Sequence, residues 1–250
     1  MTDPLSWQAL EAAHSRKSPG TFVHPTLVVR QGDANLDAHL KVCLAYPGLR
    51  LMHSDPPVFN VDNLLSPEVC ERMMRQTLSG RGISMGASAT HGSIATTRSS
   101  SSWVLHNSDC SELIDYAQIL TGLSSDNFEA VQVLRYRGDT GEHYSCHYDH
   151  LSQESCRGSQ GNRLATLIVY LNSPSGSGGE THFRDLGLEI SPIQGNGLLF
   201  FPSFSEGEPD FRTAHEAKTV DGQNSVKWLA QIFVRQYPFS TADRAAALGF

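Results

Sequence analysis

Little in this chain of 250 residues suits a nucleic acid or a membrane as partner. It carries 19 Lys and Arg against 26 Asp and Glu, a formal net charge of −7 with a pI near 5.8. Such a field does not draw polyanions or anionic lipid. No apolar run approaches the ~18–20 residues that would span a bilayer. Cysteine is scarce as well: five, at positions 43, 70, 110, 146 and 156, odd in number, irregular in spacing and without a CxxC. That excludes a disulfide framework, fits a reducing compartment and leads us to expect a cytoplasmic protein. The first twenty residues lack the basic-then-apolar order of a secretory leader and read instead as a short helix capped by Ser6 and ended at "SPG". Lysine is rarest among the charged residues, with only four copies, so the setting of each one is informative.

What is present is globular: 39% hydrophobic and 18% charged residues allow a sizeable core. Residues 1–55 show weak periodicity and read as an N-terminal extension packed on a main domain at 56–250. The stretch "PPVFNVDNLLSPEVCERMMRQTL" reads as a strand followed by a helix, with Ser66 as N-cap, Pro67 at the first helical position, and Val69, Met73, Met74 and Leu78 on one face. Residues 79–103, rich in Gly, Ser, Thr and Ala, read as a long polar loop. A second helix follows in "SDCSELIDYAQILTGL", where Leu113, Ile114, Ala117 and Leu120 share a face and Gly122 suits the C-terminal cap. Beyond residue 129 the pattern changes to seven short candidate strands separated by turn residues: 130–136, 143–149, 163–171, 181–185, 188–193, 197–201 and 226–234. Helices first and strands after predict a mainly β, helix-supported sandwich or jelly roll.

The chemistry concentrates in "EHYSCHYDHL", residues 142–151. On a strand, side chains two apart share a face, so His147 and Asp149 point together, about 7 Å apart at Cβ, while His143 lies about 13 Å back and Tyr148 and His150 point away. A bare His-x-Asp is a weak signal. Another, His53-Ser54-Asp55, sits in turn-like sequence before Pro56-Pro57 and lacks partners downstream. The stronger evidence lies further on, where His215 is followed twelve residues later by Lys227 inside the apolar strand "SVKWLAQIFV". An ammonium there would lose several kcal/mol to desolvation, on the order estimated for buried ions, unless it meets an anion or reaches the strand end. Two histidines, one carboxylate and open coordination positions make a facial triad, the set suited to non-haem Fe(II). A 2-oxo acid could chelate such an ion while its far carboxylate meets Lys227; Lys218 is a rival cation, but it lies close to His215.

From residue 56 to about residue 236 the chain resembles the prolyl 4-hydroxylase branch of the Fe(II)/2-oxoglutarate dioxygenases. The motifs are Glu129, Gln132, Val133 and Tyr136, then "GEHYSCHYD", "RLATLIVYL", "GGETHF", His215 and Lys227-Trp228. The resemblance implies a double-stranded β-helix flanked by helices, iron bound by His147, Asp149 and His215, and a salt bridge from Lys227 to 2-oxoglutarate. It further implies Tyr170, Tyr136 and Thr166 as co-substrate contacts, and Tyr144, Arg163 and Glu129 as contacts to a peptide or protein substrate containing proline. Dioxygen would be the second co-substrate and ascorbate the reductant. Departures from the pattern are Gly141-Glu142 in place of Gly-Gln, and Phe233 where many peptide hydroxylases carry tryptophan. The activity expected is peptidyl-proline 4-hydroxylation. The alternatives are the same chemistry on another side chain or a small molecule, and a non-catalytic metal-binding β-helix module. The loops at 79–102 and 150–162 are expected to form a substrate lid.

Overall fold

Twelve strands and two α-helices are set out by the computed structural model, which describes residues 38–80, 82–84, 99–152, 154–157 and 160–240. The strands are β1 (Leu49–Ser54), β2 (Pro57–Val61), β3 (Ile83–Ser84), β4 (Ser101–Val104), β5 (Gln132–Arg137) and β6 (Tyr144–His147), then β7 (Arg163–Tyr170), β8 (Thr181–Phe183), β9 (Leu188–Ile190), β10 (Gly197–Phe200), β11 (His215–Ala217) and β12 (Val226–Arg235). Eight of them pair in the order β1-β2-β10-β7-β12-β5-β4-β3, and four in the order β6-β11-β8-β9. Every named pairing is antiparallel. This is the jelly roll expected from the strand census, a double-stranded β-helix.

The large sheet is buried on both faces, which is why β7 and β12 read as near-continuous apolar runs rather than alternating ones. Alternation divides the faces nonetheless. Val133, Leu167, Val169, Leu199, Ala230 and Ile232 face the helices, in one core with Met73, Leu113 and Ala117. Their neighbours Leu134, Ile168, Tyr170, Leu198 and Leu229 face the small sheet, with Phe183, Ile190 and Phe200. Each buried aliphatic side chain contributes about 1.5–3 kcal/mol.

Helix α1 (Pro67–Leu78) starts where Ser66 Oγ accepts from the Val69 amide at 3.4 Å. Its buried face is Cys70, Met73 and Thr77, while Val69 and Met74 are half-buried and Leu78 is 63% exposed. The expected stripe is therefore turned by about one residue, because the Thr77 hydroxyl donates to the Met73 carbonyl at 2.9 Å and can be buried at no cost in bonds. Helix α2 (Ser111–Thr121) buries Leu113, Ile114, Ala117 and Leu120 as its periodicity predicts. Gly122 caps it with φ +67°, a left-handed backbone natural to glycine.

Strands β1, β3, β4 and β11 were not anticipated, each being short, half-exposed or both. The domain edge read between residues 55 and 56 falls in the turn of the β1–β2 hairpin, so Leu49–Ser54 is an edge strand of the main sheet. The helix expected around Ser6 lies outside the described residues, as do most of loop 79–102 and parts of loop 150–162.

Candidate metal centre

Strands β6 and β11 are neighbours, and in their register His215 stands directly opposite His147. Strand β6 ends at His147, short of the expected residue 149, and Asp149 follows two residues on. His147 Nε2 lies 3.5 Å from one carboxylate oxygen of Asp149, and His215 Nε2 lies 3.6 Å from the other. The three donor atoms all fall within 4.8 Å of one another, a spacing that one ion can bridge.

The donor chemistry fits Fe(II). His147 Nδ1–H donates to the Ser145 carbonyl at 2.9 Å, and His215 Nδ1–H donates to the Thr213 carbonyl at 3.0 Å. Each bond fixes the tautomer and leaves Nε2 as the ligating lone pair. Burial pushes the His215 pKa down to about 4 against the opposing pull of Asp149, so its imidazole is neutral at neutral pH. Burial alone would raise Asp149, but the imidazoles of His215 and His147 and the guanidinium of Arg163 hold it below the usual carboxylate range. Thr166 Oγ1 donates to Asp149 Oδ2 at 2.8 Å. Two rings, Phe200 and Phe183, pack on His215 with centroids at 4.7 and 5.5 Å, and Tyr144 stacks flat on His147 at 3.5 Å. His143, too far back along the strand, and Tyr148 and His150, on the opposite face, take no part in the triad, as expected. Cys146 is exposed, because β6 is a sheet edge whose outer face meets solvent.

Lys227 lies across from Tyr136 on the inner face of β12 and is fully buried. Its ammonium donates to the Gly179 carbonyl at 2.6 Å and sits 5.1 and 5.9 Å from the ring centroids of Tyr136 and Tyr170. Among the described residues no carboxylate comes within salt-bridge distance of it. Burial pulls its pKa down to about 7, with Glu180 opposing. An ammonium has three donor hydrogens, and a dicarboxylate co-substrate would match both its charge and its remaining bonds. Tyr170 donates to Thr181 Oγ1 at 2.8 Å beside it. Lys218, the rival cation, pairs with Glu189 in a solvent-exposed setting.

Strand β7 joins the two ends of this space. Thr166 is bonded to the metal-facing carboxylate and Tyr170 flanks Lys227. They are four residues apart on one strand face, about 13 Å between Cα atoms.

Three of the expected contact residues are engaged within the protein itself. Thr166 Oγ1 donates to the Asp149 carboxylate. Arg163 and Glu129 bind each other through two 2.8 Å bonds. Arg163 also donates to the Asp149 carbonyl at 3.2 Å and stacks 3.6 Å over Phe233, while Arg235 reaches Glu129 at 3.0 Å. Guanidinium and carboxylate groups withdrawn from water need partners, and here the segment ahead of β5 supplies Glu129 to Arg163 of β7 and Arg235 of β12. Sequence reasoning missed Asn162 and Arg235. Asn162 Oδ1 accepts from the Leu151 and Arg163 amides, both at 2.8 Å, tying the two ends of the loop after the triad. A buried Asn between Gly161 and the charged start of an apolar strand was the available signal.

Residues 131–235 match the model of the 2OG-Fe(II) oxygenase superfamily. Over 126 residues the chain is 35% identical to the prolyl 4-hydroxylase subunit alpha-2 of Gallus gallus, covering 49% of this chain and 23% of that protein. It is 24% identical over 231 residues to the probable prolyl 4-hydroxylase 4 of Arabidopsis thaliana, covering 81% of this chain and 76% of the relative. The fold is similar to the viral collagen prolyl hydroxylase of Paramecium Bursaria Chlorella virus-1, solved as its 2OG complex, with a TM-score of 0.58 and 24% identity over 71% of this chain and 95% of that one. The chain spans less than a third of the length of the first curated relatives that it matches.

Proposed function

We propose that the chain is a prolyl 4-hydroxylase-like 2OG-Fe(II) oxygenase that hydroxylates proline within a peptide or protein, a reading supported by the family model over residues 131–235 and by the prolyl 4-hydroxylase relatives. 2-Oxoglutarate and dioxygen are consumed; succinate, CO2 and the alcohol are released, with one oxygen atom in succinate and the other in the product. Ferrous iron, when bound, supplies the one-electron chemistry that dioxygen requires, and ascorbate would keep it reduced. The protein does the rest. His147 and His215 offer neutral imidazoles, and Thr166 steadies the Asp149 carboxylate. Lys227 takes the far carboxylate of 2-oxoglutarate, flanked by Tyr136 and Tyr170. Ile168, Leu134 and Leu198 wall that space against water. Tyr144, stacked on His147, also borders an open cleft of about 390 Å³ lined by His143, Gly178, Glu216 and Lys218, with no triad residue in its wall.

One observation carries the reading: three metal donors converge at one end of a buried strand face, and a buried ammonium without a carboxylate partner among the described residues stands at the other. The mutual pairing of Arg163 with Glu129 favours a second reading, the same chemistry on a non-proline side chain or a small molecule. The test is succinate release with Fe(II), ascorbate and 2-oxoglutarate, run with proline-rich peptides and with free amino acids. Gain of one oxygen atom on a peptidyl proline, seen by mass spectrometry, supports the first reading; turnover only with free amino acids supports the second. Absence of all co-substrate turnover overturns both and leaves a binding module. For location we keep the cytoplasm as a proposal, supported by five free cysteines; no described helix is long and apolar enough to cross a membrane.

A further inference from the structure

His39 is far from the triad in sequence, yet it is bonded into the turn that aims one of the iron ligands. Its side chain is fully buried, and its ring lies between Phe204 and Phe201 with centroids at 4.7 and 5.7 Å. The neighbouring backbone is fastened too, since the Ser205 amide donates to the Ala38 carbonyl at 2.9 Å. His39 Nε2–H donates to Asp210 Oδ2 at 3.0 Å, and Asp210 itself is 2% exposed. The same carboxylate accepts from the Arg212 amide at 3.1 Å, from Arg212 Nε at 2.8 Å and from its terminal nitrogen at 2.7 Å. Arg212 in turn donates to Asp55 at 2.9 Å.

Asp210 is the cap of the single turn Phe211–Thr213. Its backbone carbonyl accepts from Thr213 Oγ1 at 2.8 Å, and the Thr213 carbonyl accepts from His215 Nδ1–H at 3.0 Å. A continuous bonded path therefore runs from His39 through Asp210 and the turn to the imidazole of His215. Burial alone would disfavour an ionised Asp210, but its bonds to His39 and Arg212 hold it below the usual carboxylate range. A bare carboxylate in this place would have to find other donors, and the turn would move with it.

The geometry points to His39 as a positioning residue for the metal centre: through Asp210 it fixes the Thr213 carbonyl and with it the tautomer and aim of His215. The segment before the first strand thereby takes part in metal binding although it touches no ligand. The inference rests on the metal reading of His147, Asp149 and His215. Partners one bond removed from a ligating histidine change metal affinity by about 10- to 100-fold. His39 acts two bonds further out, through Asp210 and Thr213, so the lower end of that range, about tenfold, is the most to be expected.

The test uses the full chain stripped of metal and titrated with Co(II), read by calorimetry and by the visible band of the bound ion. His39→Phe keeps a ring between Phe201 and Phe204 and removes the donor; His39→Gln keeps an N–H donor and removes the ring. Co(II) affinity should follow the donor: about tenfold weaker in His39→Phe with a shifted visible band, and within about threefold of the parent in His39→Gln, whichever variant melts lower. Affinity within twofold of the parent in His39→Phe, or equal losses in both variants, overturns the proposal. Should His39→Phe fail to fold, Arg212→Gln takes its place, since that side chain is 42% exposed. A several-fold weaker Co(II) affinity there supports the proposal, and an unchanged one overturns it. A parent protein that binds no Co(II) overturns the metal reading as well, whereas parent-like binding in the variants sinks only the role of His39.

Discussion

Replacing Lys227 with methionine should move stability and co-substrate affinity in opposite directions. The ammonium is fully buried, and its described hydrogen bond goes to the Gly179 carbonyl at 2.6 Å. Burial takes its pKa from 10.5 down to about 7, which at about 1.4 kcal/mol per pH unit is a penalty of several kcal/mol on the folded metal-free protein. Methionine has a similar length and no charge. Against the penalty it removes stands the Gly179 carbonyl it leaves without that donor, worth about 1–3 kcal/mol. The net is a gain of about 2 kcal/mol, or about 5 °C in Tm for a domain of this size. The sign depends on pH in a definite way. Between about pH 7 and about pH 10.5 the unfolded chain holds a proton on this lysine that the folded one does not, so parent stability rises with pH. The variant's advantage is thus complete below about pH 7 and vanishes near pH 10.5.

Binding should respond the other way. A carboxylate brought into the pocket of Lys227→Met finds no cation, which costs about 3 kcal/mol or about 100-fold in Kd for 2-oxoglutarate. Calorimetry of 2-oxoglutarate on Co(II)-loaded protein and differential scanning of the metal-free form, at several pH values, measure both effects. A Kd raised by less than about threefold, or a metal-free variant that melts lower than the parent below neutral pH, refutes the argument that this ammonium is held for an anion.

Other perturbations separate the roles that the geometry distinguishes. Thr166→Val, which removes the donor to Asp149, should weaken Co(II) binding about tenfold and leave the 2-oxoglutarate Kd of the loaded protein nearly unchanged; calorimetry with each ligand checks both halves. Arg163→Met leaves Glu129 with Arg235 as its remaining cation and should cost about 1–3 kcal/mol, whereas Arg163→Met with Glu129→Gln should cost less than the sum of the single changes, as a double-mutant cycle of urea unfolding will show. His215, lowered from 6.5 to about 4 by burial, withholds a proton that the unfolded chain accepts. The metal-free protein should therefore lose stability as pH falls from about 6.5 to about 4, and His215→Gln should flatten that slope.

The metal ligands were legible because alternation puts His147 and Asp149 on one face, His215 opens a segment with a lysine in its apolar run, and the ordered family motifs tie the three together. Lys227 was legible for a physical reason, the cost of an ammonium among Val, Trp and Leu in a chain of few lysines. Seven of the eight strands after residue 129 were readable from turn residues and β-branched content. Partner choice was not. Arg163 and Glu129 are 34 residues apart, and that they spend their charges on each other depends on the register of β7 against β12, which brings Arg163 beside Arg235 and Phe233 beside Thr166. Strand β11, three residues long, leaves no periodicity to read, although its register sets His215 against His147. His39 and Asp210 are separated by 171 positions, and nothing local marks either one.

Site and fold depend on the same alternation, and this constrains what the chain can tolerate. Along β12, Lys227 and Leu229 face the small sheet while Trp228, Ala230 and Ile232 face the helices. Along β7, Thr166, Ile168 and Tyr170 face inward, with Leu167 and Val169 outward. A deletion of one residue inside β12, at Ala230, cannot be absorbed by sliding the strand one place, because the slide exchanges the two faces of every residue beyond it. The ammonium would then enter the helix-facing core, where no carbonyl is placed for it, or the C-terminal half of the strand would turn Ile232 and Val234 toward the metal side. Either arrangement strands a charge or opens a cavity, at a cost of about 3–5 kcal/mol for the charge alone. The deletion should therefore abolish both the cooperative urea transition and Co(II) binding together. A deletion variant that still unfolds cooperatively but binds no metal would mean that the sheet holds its register without the buried charge, and the link drawn here between site and fold would be broken.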